Sequence, residues 1–372
     1  MKAKLFAYCI CLLITFLSLN GAAQNKKLPR AKLQNILNQS INNTSIFGVV
    51  AAVNNGKDYW VGTAGSFIPK TPYFIASTTK LYITAIIFQL KAEGRLQLSD
   101  PISNYLPETI LNGLHIYKGV DYSREITIEH LLAHTSGLPD YFQGKQQNGK
   151  SILSELNQGI DQAWTFEEAI AMSKTMKPHF KPGTKKKAAY SDTNFQLLGK
   201  IIMNLSNDKL STILKERIFI PLGLSKTYLY SDPTDQGVTL MYCGNSPLNI
   251  PKAMSSFGAD GGIVSTAEES AIFLKAFING TLFPQSDFEY MQKDWNAIFF
   301  PLQYGTGIMK FKLPWYFSPF KTMPTLIGHS GLSGAFCFYC PEKNIFLTGT
   351  VNQIKKPENS YKIMLKLIQS ID

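Results

Sequence analysis

Apolar and polar positions divide the chain into three textures. Residues 46–66, "IFGVVAAVNNGKDYWVGTAGS", hold two strand-like runs separated by Asn54-Asn55-Gly56, which predicts a hairpin. The apolar run from Ser77 to about Glu93 stops at Gly94, the pattern of a helix with a glycine terminator. From about 95 to 250 no paired strand-like runs occur. Instead "TIEHLLAH", "TFEEAIAMSKTM", "NFQLLGKIIMNLS" and "KLSTILKERIF" read as helices between loops. The strand texture returns from about 255. "STAEESAIFLKAFING" predicts a helix opened by a capping box from Ser265 to Glu268 and closed at Gly280. Strand-like segments follow near 303–311, 325–329, 333–340 and 344–352, with a turn at Pro341-Glu342-Lys343-Asn344, and "NSYKIMLKLIQSID" is an amphipathic helix.

Strands at both ends of the chain and a helical insert between them predict one sheet assembled from the two termini. Helices would cover its faces, and an all-α subdomain would sit beside it. The α/β part would take about 24–94 and 255–372, and the helical subdomain about 95–254. A cleft between two such parts is a usual place for a ligand.

The first residues stand apart from this pattern. "MKAKLFAYCICLLITFLSLNGAAQ" has Lys2 and Lys4, an apolar run from Leu5 to Leu19, then Gly21, Ala22 and Ala23. That is the layout of a secretory signal peptide over 1–23, leaving 24–372 as a single domain. The run is shorter than the roughly 20 residues that span a bilayer. No later stretch is long enough, so no stable membrane insertion is expected after signal removal. The expected location is exported: periplasmic in a Gram-negative host, otherwise secreted.

Charge and cysteines exclude more than they assign. The formal net charge of +11 becomes +9 once Lys2 and Lys4 leave. The remaining lysines are scattered, with no basic stripe interleaved with aromatics, so a nucleic-acid partner is not expected. Of the cysteines beyond the signal peptide, Cys337 and Cys340 are three apart in a strand-like run. They therefore point to opposite faces and suit packing better than a disulfide or shared metal. Cys243 is far from both. His115, His130 and His179 lack ligand spacing, so no metal or organic cofactor is expected.

Three Ser-x-x-Lys strings occur: Ser77/Lys80, Ser206/Lys209 and Ser318/Lys321. Spacing alone cannot separate a nucleophile with its base from a helix cap with a solvated lysine. Only the first pair opens a long apolar helix. There, positions three apart share a face and backbone N–H groups are free to meet an oxyanion. A serine nucleophile also needs a second proton carrier and oxyanion donors from elsewhere. "AAYSDTNFQLLG" offers Tyr190, whose phenol would be lowered by a nearby ammonium. "IGHSGLSGAFCFY" offers Gly331, which admits close backbone approach, and a following N–H as oxyanion donor.

Ser77-Thr78-Thr79-Lys80, Tyr190-Ser191-Asp192 and His329-Ser330-Gly331 together resemble, in order and approximate spacing, the serine β-lactamase and penicillin-binding-protein superfamily. The chain looks most like the class C branch with its esterases and D-amino-acid peptidases. "EGRLQLSDPISNYLPE", "TIEHLLAHTSGLPDY" and "GADGGIVSTAEES" fit as connecting text, and the likeness covers about 45 to 370. It implies an α+β fold with a mostly antiparallel sheet flanked by helices. It also implies Ser77 as acylated nucleophile, Lys80 as its proton acceptor, and Tyr190 as activator of Ser77 and of the deacylating water. The N–H groups of Ser77 and Leu332 would form the oxyanion hole. His329, Ser330 and Gly331 would contact substrate, and Tyr141 would line the cleft. The implied substrate is a small molecule or peptide, an ester, amide or D-residue peptide, peptidoglycan-derived ones included. The oligomeric state is left open.

Two positions depart from the resemblance. Asp192 stands where the pattern has Asn, and a carboxylate accepts hydrogen bonds but donates none. It would also favour an ammonium beside it. His329 stands where true β-lactamases carry Lys, and neutral imidazole attracts a carboxylate less. Both point away from efficient β-lactam hydrolysis, and Asp192 keeps open an alternative: a catalytically impaired, penicillin-recognising or peptidoglycan-binding homologue. His134-Thr135-Ser136-Gly137 reads as a structural tie between a helix end and a turn. Ser333 in "GLSGA" mimics a nucleophile elbow, but no histidine follows residue 329, as that enzyme class requires.

Overall fold

A computed structural model describes residues 27–42, 44–314, 316 and 323–371. The expected signal peptide and the Ser318/Lys321 string lie outside the described residues. Both termini of the described chain contribute to one eight-stranded antiparallel sheet. Its order is Asn296–Ala297, Leu302–Tyr304, Met309–Phe311, Leu326–Ser330, Ala335–Cys340, Ile345–Thr350, Gly48–Asn54, Tyr59–Gly65. The seam between N- and C-terminal parts is the register Val50↔Thr350 to Asn54↔Phe346.

Both faces of the sheet are covered. Val49, Ala51 and Val53 pack with Leu33 and Leu37 of the helix Arg30–Ser40 and with Met364 and Leu367 of the helix Glu358–Gln369. Val50 and Ala52 face the other way, into the core shared with Phe273 and Leu274 of the helix Ala267–Ile278. A strand buried on both faces has no reason to alternate with polar residues, which explains the unbroken apolar run of the first strand. Cys337 falls in one core and Cys340 in the other, and both are free thiols, as is Cys243.

The helix Thr79–Ala92 runs through the molecule's centre and is buried on nearly every side. The helix Asp192–Ser206 packs beside it. This is the helical region expected from sequence, with the helices Ile128–Leu132, Ile152–Leu156, Phe166–Thr175 and Leu210–Leu214 around it. It is not purely helical. Hairpins form at Ile116–Tyr117/Val120–Asp121 and Met241–Cys243/Ser246–Leu248, and Tyr228–Leu229 joins a small sheet with Tyr73–Phe74 and Ile263–Ser265. The first hairpin turns on Lys118 and Gly119, both at positive φ.

The cap expected at Ser265 is one residue later. Ser265 pairs with Tyr73 as strand, so Thr266 becomes the N-cap and accepts from Glu269 N at 3.1 Å. Among the described residues no helix is long and apolar enough to cross a membrane.

Candidate active site

Ser77 sits where a 3-10 turn, Ala76–Thr78, runs into the helix Thr79–Ala92. N–H groups in this first turn lack intrahelical acceptors. The residue before it, Ala76, is held at φ +46°, a left-handed conformation that costs a non-glycine about 1 kcal/mol or more. Lys80 follows one turn on and is completely buried. Its Nζ donates to Ser77 Oγ (3.2 Å), Asp192 Oδ1 (2.6 Å) and the Asp260 carbonyl (2.6 Å). An ammonium has three donors, and all three are engaged.

Tyr190 completes the group. Lys80 Nζ lies 5.2 Å from its ring centroid, and the Ser77 side chain is close enough to act on its phenol. Burial and then the Asp192 charge push the phenol well above its ordinary range, against the opposing pull of the Ser77 side chain. The lowering expected from a nearby ammonium is therefore reversed: desolvation of the phenol and the Asp192 charge outweigh it.

An aromatic and imidazole wall holds Tyr190 in place. The His134 ring lies 4.4 Å from the Tyr190 ring and 4.4 Å from that of Tyr304. His134 Nδ1 accepts from Ser191 N at 3.2 Å, and Ser136 Oγ donates to Asn194 Oδ1 at 2.7 Å. The His134–Gly137 segment thus ties the end of one helix to the loop that carries Tyr190, the structural role read from its sequence. Burial, then Lys80's charge, drives His134 well below the usual imidazole range, so it stays neutral.

His329 and Tyr141 do not line the cleft. His329 is 0% exposed, with Nε2 2.9 Å from Tyr304 Oη and Nδ1 2.7 Å from its neighbour's carbonyl, Ser330 O. Burial and the Lys80 charge push its pKa down to about 3. Tyr141 is 0% exposed and donates to Asp260 Oδ2 at 2.6 Å. Direct substrate contact, expected of both, is replaced by packing behind the site. Ser330 Oγ is turned to Tyr361 and Met309, away from Ser77. Gly331 serves the nucleophile rather than a ligand: a Cβ there would meet Ile75 O at 2.4 Å and Ala76 Cβ at 3.0 Å. Its bareness lets the strand end close on the nucleophile turn, which brings Leu332 to the cleft with Ser77. Leu332 N makes no hydrogen bond among the described residues.

Sequence reasoning missed Asp260 and Tyr304. Asp260 lay within "GADGGIVSTAEES", but nothing in that string says its carbonyl meets Lys80. Two further buried carboxyls, Asp140 and Asp260, feel the charges of the Lys80–Asp192 pair. Asp192 takes the ion pair, while burial and then the Asp192 charge raise Asp140 to about 8 and Asp260 well above its usual range.

The cleft beside Ser77 holds about 510 Å³ of empty space including its mouth. Phe142, Leu153, Met241, Leu248, Met254 and Phe257 line it, with Asp192, Asp260 and Leu332 near the serine. Of the other Ser-x-x-Lys strings, Ser206 is the last residue of its helix and its Oγ has no partner among the described residues. Ser333 Oγ is buried and donates to Phe74 O at 2.8 Å.

The family model named Beta-lactamase matches residues 33–369. The chain belongs to that family of serine hydrolases. Among relatives, PbpX of Bacillus subtilis (strain 168) is 29% identical over 228 residues, 60% of this chain but only 50% of its own length. AmpH of Escherichia coli (strain K12), a D-alanyl-D-alanine-carboxypeptidase/endopeptidase, is 28% identical over 290 residues, 73% of this chain and 68% of AmpH. In three dimensions a D-stereospecific amidohydrolase from Streptomyces sp. superposes with TM-score 0.72 at 25% identity, covering 90% of this chain and 97% of that one. The D-amino acid amidase from Ochrobactrum anthropi SV3 shares the fold with TM-score 0.75 at 23% identity, over 91% and 100% of the two chains.

Proposed function

We propose that this is an exported serine hydrolase acting through an acyl-enzyme at Ser77 on an ester, amide or peptide, D-residue peptides included. Residues 1–23 serve as its signal peptide and 24–372 as one catalytic domain. The observation that carries the reading is Lys80 Nζ 3.2 Å from Ser77 Oγ and 5.2 Å from the centroid of the Tyr190 ring. The D-alanyl-D-alanine-carboxypeptidase/endopeptidase AmpH and the D-stereospecific amidohydrolase among the chain's likenesses support the substrate class.

In this mechanism Ser77 Oγ attacks the substrate carbonyl while its proton passes into the Lys80–Tyr190 pair. The carbonyl oxygen, now an anion, lies between the N–H groups of Ser77 and Leu332. Collapse expels the leaving group, which takes the proton back through Tyr190. Water then enters, loses its proton along the same route, and frees the acid product and Ser77. Lys80 accepts a proton only as the amine, so one of its three hydrogen-bonded protons must first leave. Asp192 at 2.6 Å opposes that departure.

That ion pair favours one other reading: a homologue that binds, or is acylated once, but does not turn over. Intact mass of the purified protein and of Ser77→Ala, after exposure to a penicillin and separately to a fluorophosphonate, tests both. A Ser77-dependent fluorophosphonate adduct with turnover of activated esters supports the hydrolase. A persistent penicillin adduct without ester turnover supports the binding homologue. No adduct with either reagent overturns the nucleophile assignment.

A further inference from the structure

The cleft beside Ser77 is apolar along its walls, with Phe142, Leu153, Leu156, Met254 and Phe257 from two helices and two loops. Of the empty space there, which includes its open mouth, only about 50 Å³ is open to the centre of a water-sized sphere, so the enclosed part is small. Among the described residues no Lys, Arg or His lines it. Lys80 spends all three donors on Ser77, Asp192 and Asp260, and His329 is sealed behind Tyr304. A substrate carboxylate entering this cleft would meet Asp192 and apolar walls, and would leave its hydration uncompensated.

We propose that this cleft receives the acyl half of the substrate, and that this half is an uncharged, apolar chain or ring. The inference rests on the Ser77 acyl-enzyme reading and names the substrate class of that site. Burial of apolar atoms against Leu153, Leu156 and Phe257 supplies the binding, and Asp192 together with the missing cation supplies the rejection of acids. Each methylene seated in such walls is worth about 0.8 kcal/mol, or about fourfold in kcat/KM when fully buried.

The test uses the whole protein and p-nitrophenyl esters: acetate, butyrate, hexanoate, octanoate, and the suberate half-ester, which matches octanoate in length but ends in a carboxylate. Rates are normalised to spontaneous hydrolysis and to the Ser77→Ala background. The expected result is a rise of about two- to fourfold per methylene until the cleft is filled, with the suberate half-ester at least about tenfold below octanoate. In Leu153→Arg, at a half-buried position on the cleft wall, the octanoate-to-suberate ratio should fall by about tenfold or more or invert. Because that ratio is read within one protein, a change in overall rate does not affect it. Ser77-dependent turnover that is flat along the series, or equal for octanoate and suberate, overturns the proposal and leaves the acyl-enzyme reading standing. No Ser77-dependent turnover of any ester overturns both.

Discussion

Lys80 Nζ lies 2.6 Å from Asp192 Oδ1, with both side chains shut away from water. A buried pair of this kind is costly to break by removing one partner, about 3–5 kcal/mol, because the other charge is stranded. It also holds the proton that Lys80 must shed to act as a base. Asp192→Asn keeps an acceptor at the same place and removes the charge. The expected outcome is a gain of about tenfold in kcat/KM at neutral pH. Asp192→Ala should instead lose stability in the range quoted. A tenfold loss of activity in Asp192→Asn, with folding intact, would show that Asp192 carries protons itself.

Tyr190 is the second proton carrier on this reading, and its raised phenol fits a group that stays protonated between steps. Tyr190→Phe keeps the ring against His134 and Tyr304 and removes only the hydroxyl. Acylation and deacylation should each slow by about 10²- to 10⁴-fold, with a melting temperature within a few degrees of the parent. Stopped-flow with an activated ester separates the two steps. Unchanged rates for both would remove Tyr190 from the mechanism.

Much of this site was legible because its key parts obey local rules. Ser77 and Lys80 are three apart at a helix start, Tyr190 stands just before another helix, and Gly331 ends a strand. The sheet was legible from apolar runs near 46–66 and beyond 303. The parts that escaped depend on what tertiary packing brings alongside. Asp260 reaches Lys80 with its carbonyl, a group every residue has, across 180 positions of sequence. His329 and Tyr141 had the right chemistry for substrate contact, but only the packed structure shows Tyr304 and Asp260 claiming their polar atoms. Ser265 and Thr266 each stand three before a glutamate, so pattern alone could not choose between them; strand pairing of Ser265 with Tyr73 decides it.

Gly331 offers a test of the nucleophile's support. A Cβ at this position would sit 2.4 Å from Ile75 O, backbone that has no flexible end to swing aside. Gly331→Ala should therefore push the strand end away from the Ala76–Thr78 turn. The expected effects are a stability loss of about 1–3 kcal/mol and a fall in kcat of about 100-fold, because Leu332 N moves with the strand. Urea unfolding and ester kinetics on the same preparation check both. A large stability loss with kcat intact would separate Leu332 from the oxyanion site.

The two outlying acids and bases of the site predict opposite slopes of stability with pH. Asp140 has its pKa raised from the ordinary 3.8 to about 8 by burial and by Asp192, so the native state binds this proton more tightly than the unfolded chain does. Its contribution is present below about pH 4 and is lost as pH climbs toward 8. His329, lowered from 6.5 to about 3 by burial and by Lys80, behaves the other way. Its neutral native form is favoured above pH 6.5, and that advantage is lost as pH falls toward 3. Stability should thus decline on both sides of a maximum in the mildly acidic range. Asp140→Asn preserves an acceptor for Phe142 N, now bonded at 2.9 Å, and carries no titrating proton. Melting temperatures measured from pH 3 to pH 9 should show the alkaline decline shrink in this variant while the acid decline remains. His329→Gln should do the reverse, retaining a polar partner for Tyr304. An alkaline slope identical in parent and Asp140→Asn would mean that Asp140 is already ionised in the native protein at neutral pH. The carboxyls around Lys80 would then carry more negative charge than the ion pair with Asp192 can balance.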